Sequence, residues 1–121
     1  MATVLIIDDS PTELHLFQSM LEKNGFETLV ADSGEEGLKQ ARARRPHCIL
    51  MDVVMPGMNG FQATRKLSKD PDTAGIPVII ITSKDQETDK IWGMRQGAVE
   101  YLVKPVSEKQ LIAMINQVMA S

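Results

Sequence analysis

Val4-Leu5-Ile6-Ile7-Asp8-Asp9-Ser10-Pro11-Thr12-Glu13 opens the chain and decides its class. The apolar run Val4 to Ile7 is short and continuous, the pattern of a strand buried on both faces, and such strands belong to parallel sheets. Two carboxylates end the run. Helix-start signals follow at once: Ser10 suits the N-cap, Pro11 the first helical position, and Glu13 the return arm of a capping box. Leu14, Phe17 and Leu21, flanked by Leu16 and Met20, then recur at helical spacing, and Gly25 closes the helix.

The same alternation continues outward from that stretch. Phe26 to Ala31 reads as a second strand, and Ser33 with Glu36 predicts a capping box for a helix ending near Arg45, before Pro46. Ile49-Leu50-Met51 is a third strand, ending at Asp52. Pro56, Gly57, Asn59 and Gly60 mark a loop, and Asn59 with Gln62 caps a helix from Gly60 to about Lys69. A turn region, Asp70 to Gly75, leads to Val78-Ile79-Ile80-Ile81, the most β-branched strand. A helix over roughly Asp85 to Gln96 follows, with a thin apolar face of Ile91, Trp92 and Met94, closed by Gly97. Val99 to Val103 is the fifth strand, and Ser107 with Gln110 caps a last helix striped by Leu111, Ile112, Ile115, Val118 and Met119. Strand then helix, five times over, predicts an α/β domain with a parallel sheet, helices on both faces and right-handed crossovers.

The 121 residues suit one domain, residues 1–121. With 43% hydrophobic residues there is enough apolar material for two covered faces, and a net charge of −3 argues against a nucleic-acid-binding domain. Arg42, Arg44 and Arg45, the one basic cluster, read as helix-end charges opposing the macrodipole. Cys48 is the only cysteine, so no intrachain disulfide forms, and its place beside Ile49 marks a small core residue. No apolar stretch approaches the roughly 18 residues of a membrane span, and Met1-Ala2-Thr3 leaves no room for a signal peptide; a cytoplasmic protein without membrane insertion is expected. His15 and His47 read as surface or structural residues, and the eight methionines as core filler.

Chemistry enters where the strands stop. Asp8, Asp9, Asp52, Thr82 and Lys104 each follow or end an apolar run. In an open α/β sheet the carboxyl ends of the strands form the ligand crevice, so these groups converge. Three carboxylates, a hydroxyl and an ammonium together can hold a divalent metal and a phosphoryl group. A carboxylate such as Asp52 can attack phosphorus and become an acyl phosphate. Mg²⁺, which favours one or two carboxylates with phosphate oxygen and water, would offset the charge, and Lys104 and Thr82 would contact phosphoryl oxygens.

Four stretches carry a family resemblance: Ile6-Ile7-Asp8-Asp9-Ser10, Met51-Asp52-Val53-Val54-Met55-Pro56-Gly57-Met58-Asn59-Gly60, Ile81-Thr82-Ser83 and Tyr101-Leu102-Val103-Lys104-Pro105. Over its whole length the chain resembles the receiver domain of two-component response regulators. The resemblance implies a doubly wound, flavodoxin-like sheet of five strands in the order 2-1-3-4-5. It implies Asp52 as phosphoacceptor, and Asp8 and Asp9 as metal-binding acids with Asp9 favoured as direct ligand. The Val54 backbone carbonyl becomes a further Mg²⁺ ligand, Thr82 the switch hydroxyl, Lys104 the phosphate contact and Tyr101 the aromatic that repacks on activation. It also implies a cis Lys104-Pro105 bond. Its partners would be a histidine kinase or its phosphotransfer domain and an output protein, with a small-molecule phosphodonor as a further source. Ser10-Pro11-Thr12-Glu13, Asn59 to Arg65, Lys84 to Lys90, Trp92-Gly93 and Arg95 to Ala98 are similar to the stand-alone regulators of type IV pilus twitching motility.

On this reading the protein is a signalling switch and not a metabolic enzyme. The helix after Thr82, the fifth strand and the last helix would form the output surface, with Trp92 as a partner anchor. Val54 and Lys84 replace polar water-positioning groups and are expected to set the lifetime of the acyl phosphate. Several alternatives stand beside it. The protein could drain phosphate from a sister regulator, or work unphosphorylated as a scaffold. A phosphatase of the haloacid dehalogenase type would need an Asp at position 54, where Val stands. A flavodoxin-type carrier would place its flavin phosphate against the acidic Asp8-Asp9 loop.

Overall fold

The computed structural model describes residues 1–120; Ser121, included in the expected domain, lies outside them. Five strands and five helices alternate: β1 (Thr3–Ile7), α1 (Pro11–Lys23), β2 (Glu27–Ala31), α2 (Gly34–Arg44), β3 (Cys48–Met51), α3 (Gly60–Lys69), β4 (Val78–Thr82), α4 (Glu87–Arg95), β5 (Glu100–Val103) and α5 (Glu108–Ala120). All pairings are parallel, in the order β2-β1-β3-β4-β5.

Alternation along each strand divides the core in two. Leu5, Ile7, Ile49, Met51, Val78 and Ile80 point to one face, where Ala41 of α2 and Ala63 and Leu67 of α3 cover them. Val4, Ile6, Cys48, Leu50, Ile79 and Ile81 point to the other, against Phe17 and Leu21 of α1 and Leu111 and Ile115 of α5. A strand flanked by helices on both sides has no wet face, which is why these runs are apolar at every position. Cys48 is fully buried in the second core. Burial pushes its thiol up to about 12, with a backbone contact to Ile49 acting the other way. His47 Nδ1 accepts from the Thr3 backbone N–H at 2.9 Å, a structural use, and His15 is exposed.

Three expectations about helices need correcting. Ser10 caps α1 by accepting from the Glu13 N–H, but the Glu13 side chain does not return to Ser10; it lies on Lys104 instead. The Ser10 N–H goes to Asp8 Oδ1 at 3.0 Å. Helix α3, by contrast, closes a full box of backbone and side chain, Asn59 with Gln62, at 2.9 Å each way. Helix α4 begins at Glu87, two residues later than expected, and its apolar side chains do not face the core. Ile91, Trp92 and Met94 are exposed, and the helix meets the sheet through buried Gly93. A Cβ there would lie 2.8 Å from Ile80 Cδ1 and 3.1 Å from the Tyr101 ring. Close backbone approach, not an apolar stripe, docks α4.

Candidate functional site

The strand order reverses direction between β1 and β3, and the crevice at such a switch point lies beyond the strands' carboxyl ends. The ladder itself delivers the side chains there. Each donor below is the first residue after its strand, held by one last rung. The Asp8 N–H donates to the Ala31 carbonyl at 3.1 Å, Asp52 N–H to Ile7 at 2.9 Å, and Lys104 N–H to Thr82 at 2.9 Å. Thr82 itself ends β4 and is fully buried. The backbone is thus paired up to each of these residues, which fixes its side-chain direction.

A carboxylate oxygen from each of Asp8, Asp9 and Asp52 lies within 4.8 Å of the others. Asp8 and Asp52 are buried, while Asp9 is exposed. Lys104 Nζ reaches into this cluster, 3.0 Å from Asp8 Oδ2, 3.2 Å from Glu13 Oε1 and 3.8 Å from Asp52 Oδ1. It also stands 5.9 Å from the centroid of the Phe17 ring. Asp8 is therefore engaged on both oxygens, by Ser10 N–H and by Lys104. Asp9 makes no hydrogen bond or ion pair among the described residues, leaving its carboxylate available.

Charge crowding sets the electrostatics. Burial, reinforced by the neighbouring Asp8 charge, pushes the Asp52 carboxyl up to about 6, against the pull of Lys104 and the Val53 backbone N–H; Asp9 adds to the rise. Burial acts against the Lys104 ammonium. The hydrogen bond to Asp8, the charges of Asp52 and Asp8, and the bond to Glu13 outweigh it and raise its pKa above 10.5. The cluster is one cation among four acids, short of positive charge. Hard oxygen donors at that spacing suit a dication of the Mg²⁺ type.

The loop after Asp52 is pressed close. The Gly60 N–H donates to the Val53 carbonyl at 2.9 Å, and a Cβ on Gly60 would collide with the Asp52 carbonyl oxygen. Val54 in that loop is exposed. The Thr82 hydroxyl oxygen accepts from Lys84 N–H at 3.4 Å, and the half-buried Tyr101 donates its hydroxyl to the Lys84 carbonyl at 2.8 Å. Burial, then the charges of Asp89, Asp85 and Asp52, push the Tyr101 phenol up to about 12. The Lys104–Pro105 peptide bond is cis. Trp92 stands apart from the carboxylate cluster, half-exposed on α4.

Glu13 and Phe17 escaped the sequence reading as site residues. They stand four apart on α1, on one helical face, and both meet Lys104. A glutamate at the third helical position has two uses, and only the fold decides between them.

Fold and site together place the chain in a family: it belongs to the response regulator receiver domain family, whose model matches residues 4–116. This is a family of signalling domains, not of metabolic enzymes. The chain is 58% identical to protein PilH of Pseudomonas aeruginosa, over 99% of each chain. Longer response regulators match too, and the chain spans 25% of one and 48% of another. The chemotaxis protein CheY4 of Vibrio cholerae superimposes with a TM-score of 0.92 at 30% identity, covering 98% of both chains. The receiver domain of the P. aeruginosa sensor histidine kinase PA1611 was solved with a magnesium ion coordinated in its active site cleft. It shares the fold, with a TM-score of 0.92 at 24% identity over 99% of this chain and 98% of that one. No described helix is long and apolar enough to cross a membrane.

Proposed function

We propose that the chain is a phosphorylatable cytoplasmic switch, one receiver domain over residues 1–121. Its Asp52 carboxylate takes a phosphoryl group from the phosphohistidine of a histidine kinase or of a phosphotransfer domain. The observation that carries this reading is the convergence of three carboxylates and Lys104 at the switch point of the sheet, with Thr82 ending the neighbouring strand. Asp9, Asp52 and the Val54 carbonyl would hold Mg²⁺, with Asp8 alongside. Bound there, the ion supplies the positive charge that lets a carboxylate approach a phosphate.

The chain's own groups do the rest. An Asp52 oxygen attacks phosphorus in line; the new P–O bond forms as the P–N bond to the donor imidazole breaks, and the imidazole leaves with the electron pair. The Lys104 ammonium, tethered by Asp8 and Glu13, moves onto a phosphoryl oxygen. The Thr82 hydroxyl donates to another. As Thr82 shifts, its contact with the Lys84 N–H is lost, and the loop whose carbonyl holds Tyr101 shifts with it. Tyr101 then packs inward against Gly93 and Ile80, and α4 changes the surface it shares with β5 and α5, where Trp92 would anchor an output protein. Thr82→Ala should accept phosphate yet lose phosphorylation-dependent partner binding; unchanged binding contradicts this coupling.

The setting we propose is type IV pilus twitching motility or related chemotaxis-like signalling, supported by the likeness to PilH. Deleting the gene should impair surface motility. Normal surface motility with defective flagellar chemotaxis overturns the assignment.

A further inference from the structure

The chain's charges are segregated in a way phosphotransfer does not use. Seven of its 13 lysines and arginines lie between positions 39 and 69, where Asp52 is the one acid. In space this segment is the second half of α2, the strand β3 and all of α3, while the acids Glu35 and Glu36 sit in the first turn of α2; the net charge of the chain is −3. Between the two helices lies a cleft of about 910 Å³. Its apolar lining is Leu38, Met58 and Leu67, half-buried or buried. Its rim is cationic.

Two acids next to this rim are already engaged, and a third, Glu35, borders only its Gly57 end. Arg42 pairs with Asp70 at 3.0 Å and Arg45 with Asp72 at 3.5 Å, bridging α2 to the turn after α3. The Glu35 carboxylate lies beside Gly57, toward the start of α2. Arg65, Lys66 and Lys69 line the cleft, are exposed, and have no ion-pair partner among the described residues. Three unpaired cations around an apolar floor make a site for a ligand that is acidic outside and apolar at its centre.

We propose that the α2–α3 cleft docks an acidic segment of a partner protein, with an apolar side chain seated on Leu38, Met58 and Leu67 and flanking carboxylates on Arg65, Lys66 and Lys69. Charge complementarity selects this occupant over others. No aromatic residue lines the cleft, so a nucleotide base or single-stranded nucleic acid has no stacking platform. The apolar residues are recessed and not protruding, so a bilayer surface cannot reach them. An extended or helical peptide can, with anchors set at helical spacing. The cleft includes none of the three clustered carboxylates, though Gly57 and Met58 of the loop after Asp52 line it.

A displayed library of random 12-residue peptides, selected on the full chain, tests this. The counter-target is the Arg65→Glu, Lys69→Glu double variant, whose changes are on exposed positions; Arg65→Gln, Lys69→Gln serves as a milder second pair. Enriched peptides should carry Asp and Glu around one or two apolar residues. Synthesised with a fluorophore, they should lose at least tenfold affinity on the double variant and weaken as salt rises. Backbone amide shifts should centre on Leu38, Met58, Gln62 and Leu67. Enrichment of no acidic sequence, equal affinity for the variants, or tighter binding of phosphatidylglycerol vesicles or ATP than of any selected peptide would each overturn the proposal.

Discussion

Asp52 shows at the residue scale how the site is tuned. Its carboxyl is raised from 3.8 to about 6, chiefly by burial and then by Asp8. Because the folded value lies above the unfolded one, the metal-free native state binds the extra proton across that window. Stability from this group therefore falls as pH rises from about 4 to about 6, and the loss is complete above the folded value. Asp52→Asn should remove the penalty. Without metal at pH 7 we expect the variant to be more stable than wild type by on the order of 1–2 kcal/mol, after allowance for solvent screening. At pH 4 the gap should close, and Mg²⁺ should stabilise wild type more than the variant. Urea denaturation at the two pH values checks this, and a variant weaker than wild type at pH 7 contradicts it. Val54, exposed two residues after Asp52, and Lys84, whose carbonyl holds Tyr101, offer no polar water-positioning group of the acid or amide kind. Val54→Asn and Lys84→Glu should each change the decay rate of the acyl phosphate, read by following the intact mass; unchanged decay in both removes the idea. Residues that end strands were legible in the sequence because the ladder places them. Glu13 was not, since its choice of Lys104 over the helix cap depends on β5 arriving opposite α1.

The elements differ in how they are held. Asn59 and Gln62 close the box that starts α3, and Thr64 Oγ1 donates to the Gly60 carbonyl at 2.7 Å from a fully buried position. With the Gly60 N–H on Val53, the start of α3 is fastened to the loop that carries Val54. A methyl group at Gly60 meets backbone, which cannot step aside. We expect Gly60→Ala to cost about 3 kcal/mol, the upper end for overpacking, and to weaken Mg²⁺ binding by displacing the Asp52–Val53 peptide. Calorimetry with and without Mg²⁺ measures both, and a loss below about 1 kcal/mol contradicts the contact argument. At the other extreme, α4 buries one residue, Gly93, and shows Ile91, Trp92 and Met94 to solvent. The sequence misled here for a physical reason. Apolar residues at 91, 92 and 94 look like an inward face, but Gly93 between them lets the backbone itself meet Ile80 and Tyr101, which turns the neighbouring side chains outward.

For the whole molecule, pattern and fold agree closely because a doubly covered parallel sheet leaves so little freedom. Runs such as Val78 to Ile81 are apolar on both faces, and they become the centre of two cores divided by strict alternation. The strand order was legible only through the motifs, since nothing in periodicity alone puts β1 between β2 and β3. The α2–α3 cleft was not legible, because Arg42 and Arg65 are 23 positions apart in sequence and Arg42 read only as helix-end charge. Cys48 reports on the whole fold: it is fully buried in the central strand, with a thiol pushed up to about 12. Native protein should resist thiol reagents, with labelling that tracks global unfolding in urea; fast labelling in native buffer contradicts a closed core. Everything else in the switch follows from the chemistry at Asp52. Its most direct test is intact mass after incubation with acetyl phosphate, with and without Mg²⁺, for wild type and Asp52→Asn, run alongside a cognate phosphohistidine donor. Wild type should gain a single phosphoryl adduct that needs Mg²⁺ and is lost in the variant. An adduct that survives in Asp52→Asn, or none on wild type from either donor under conditions that trap short-lived acyl phosphates, contradicts it.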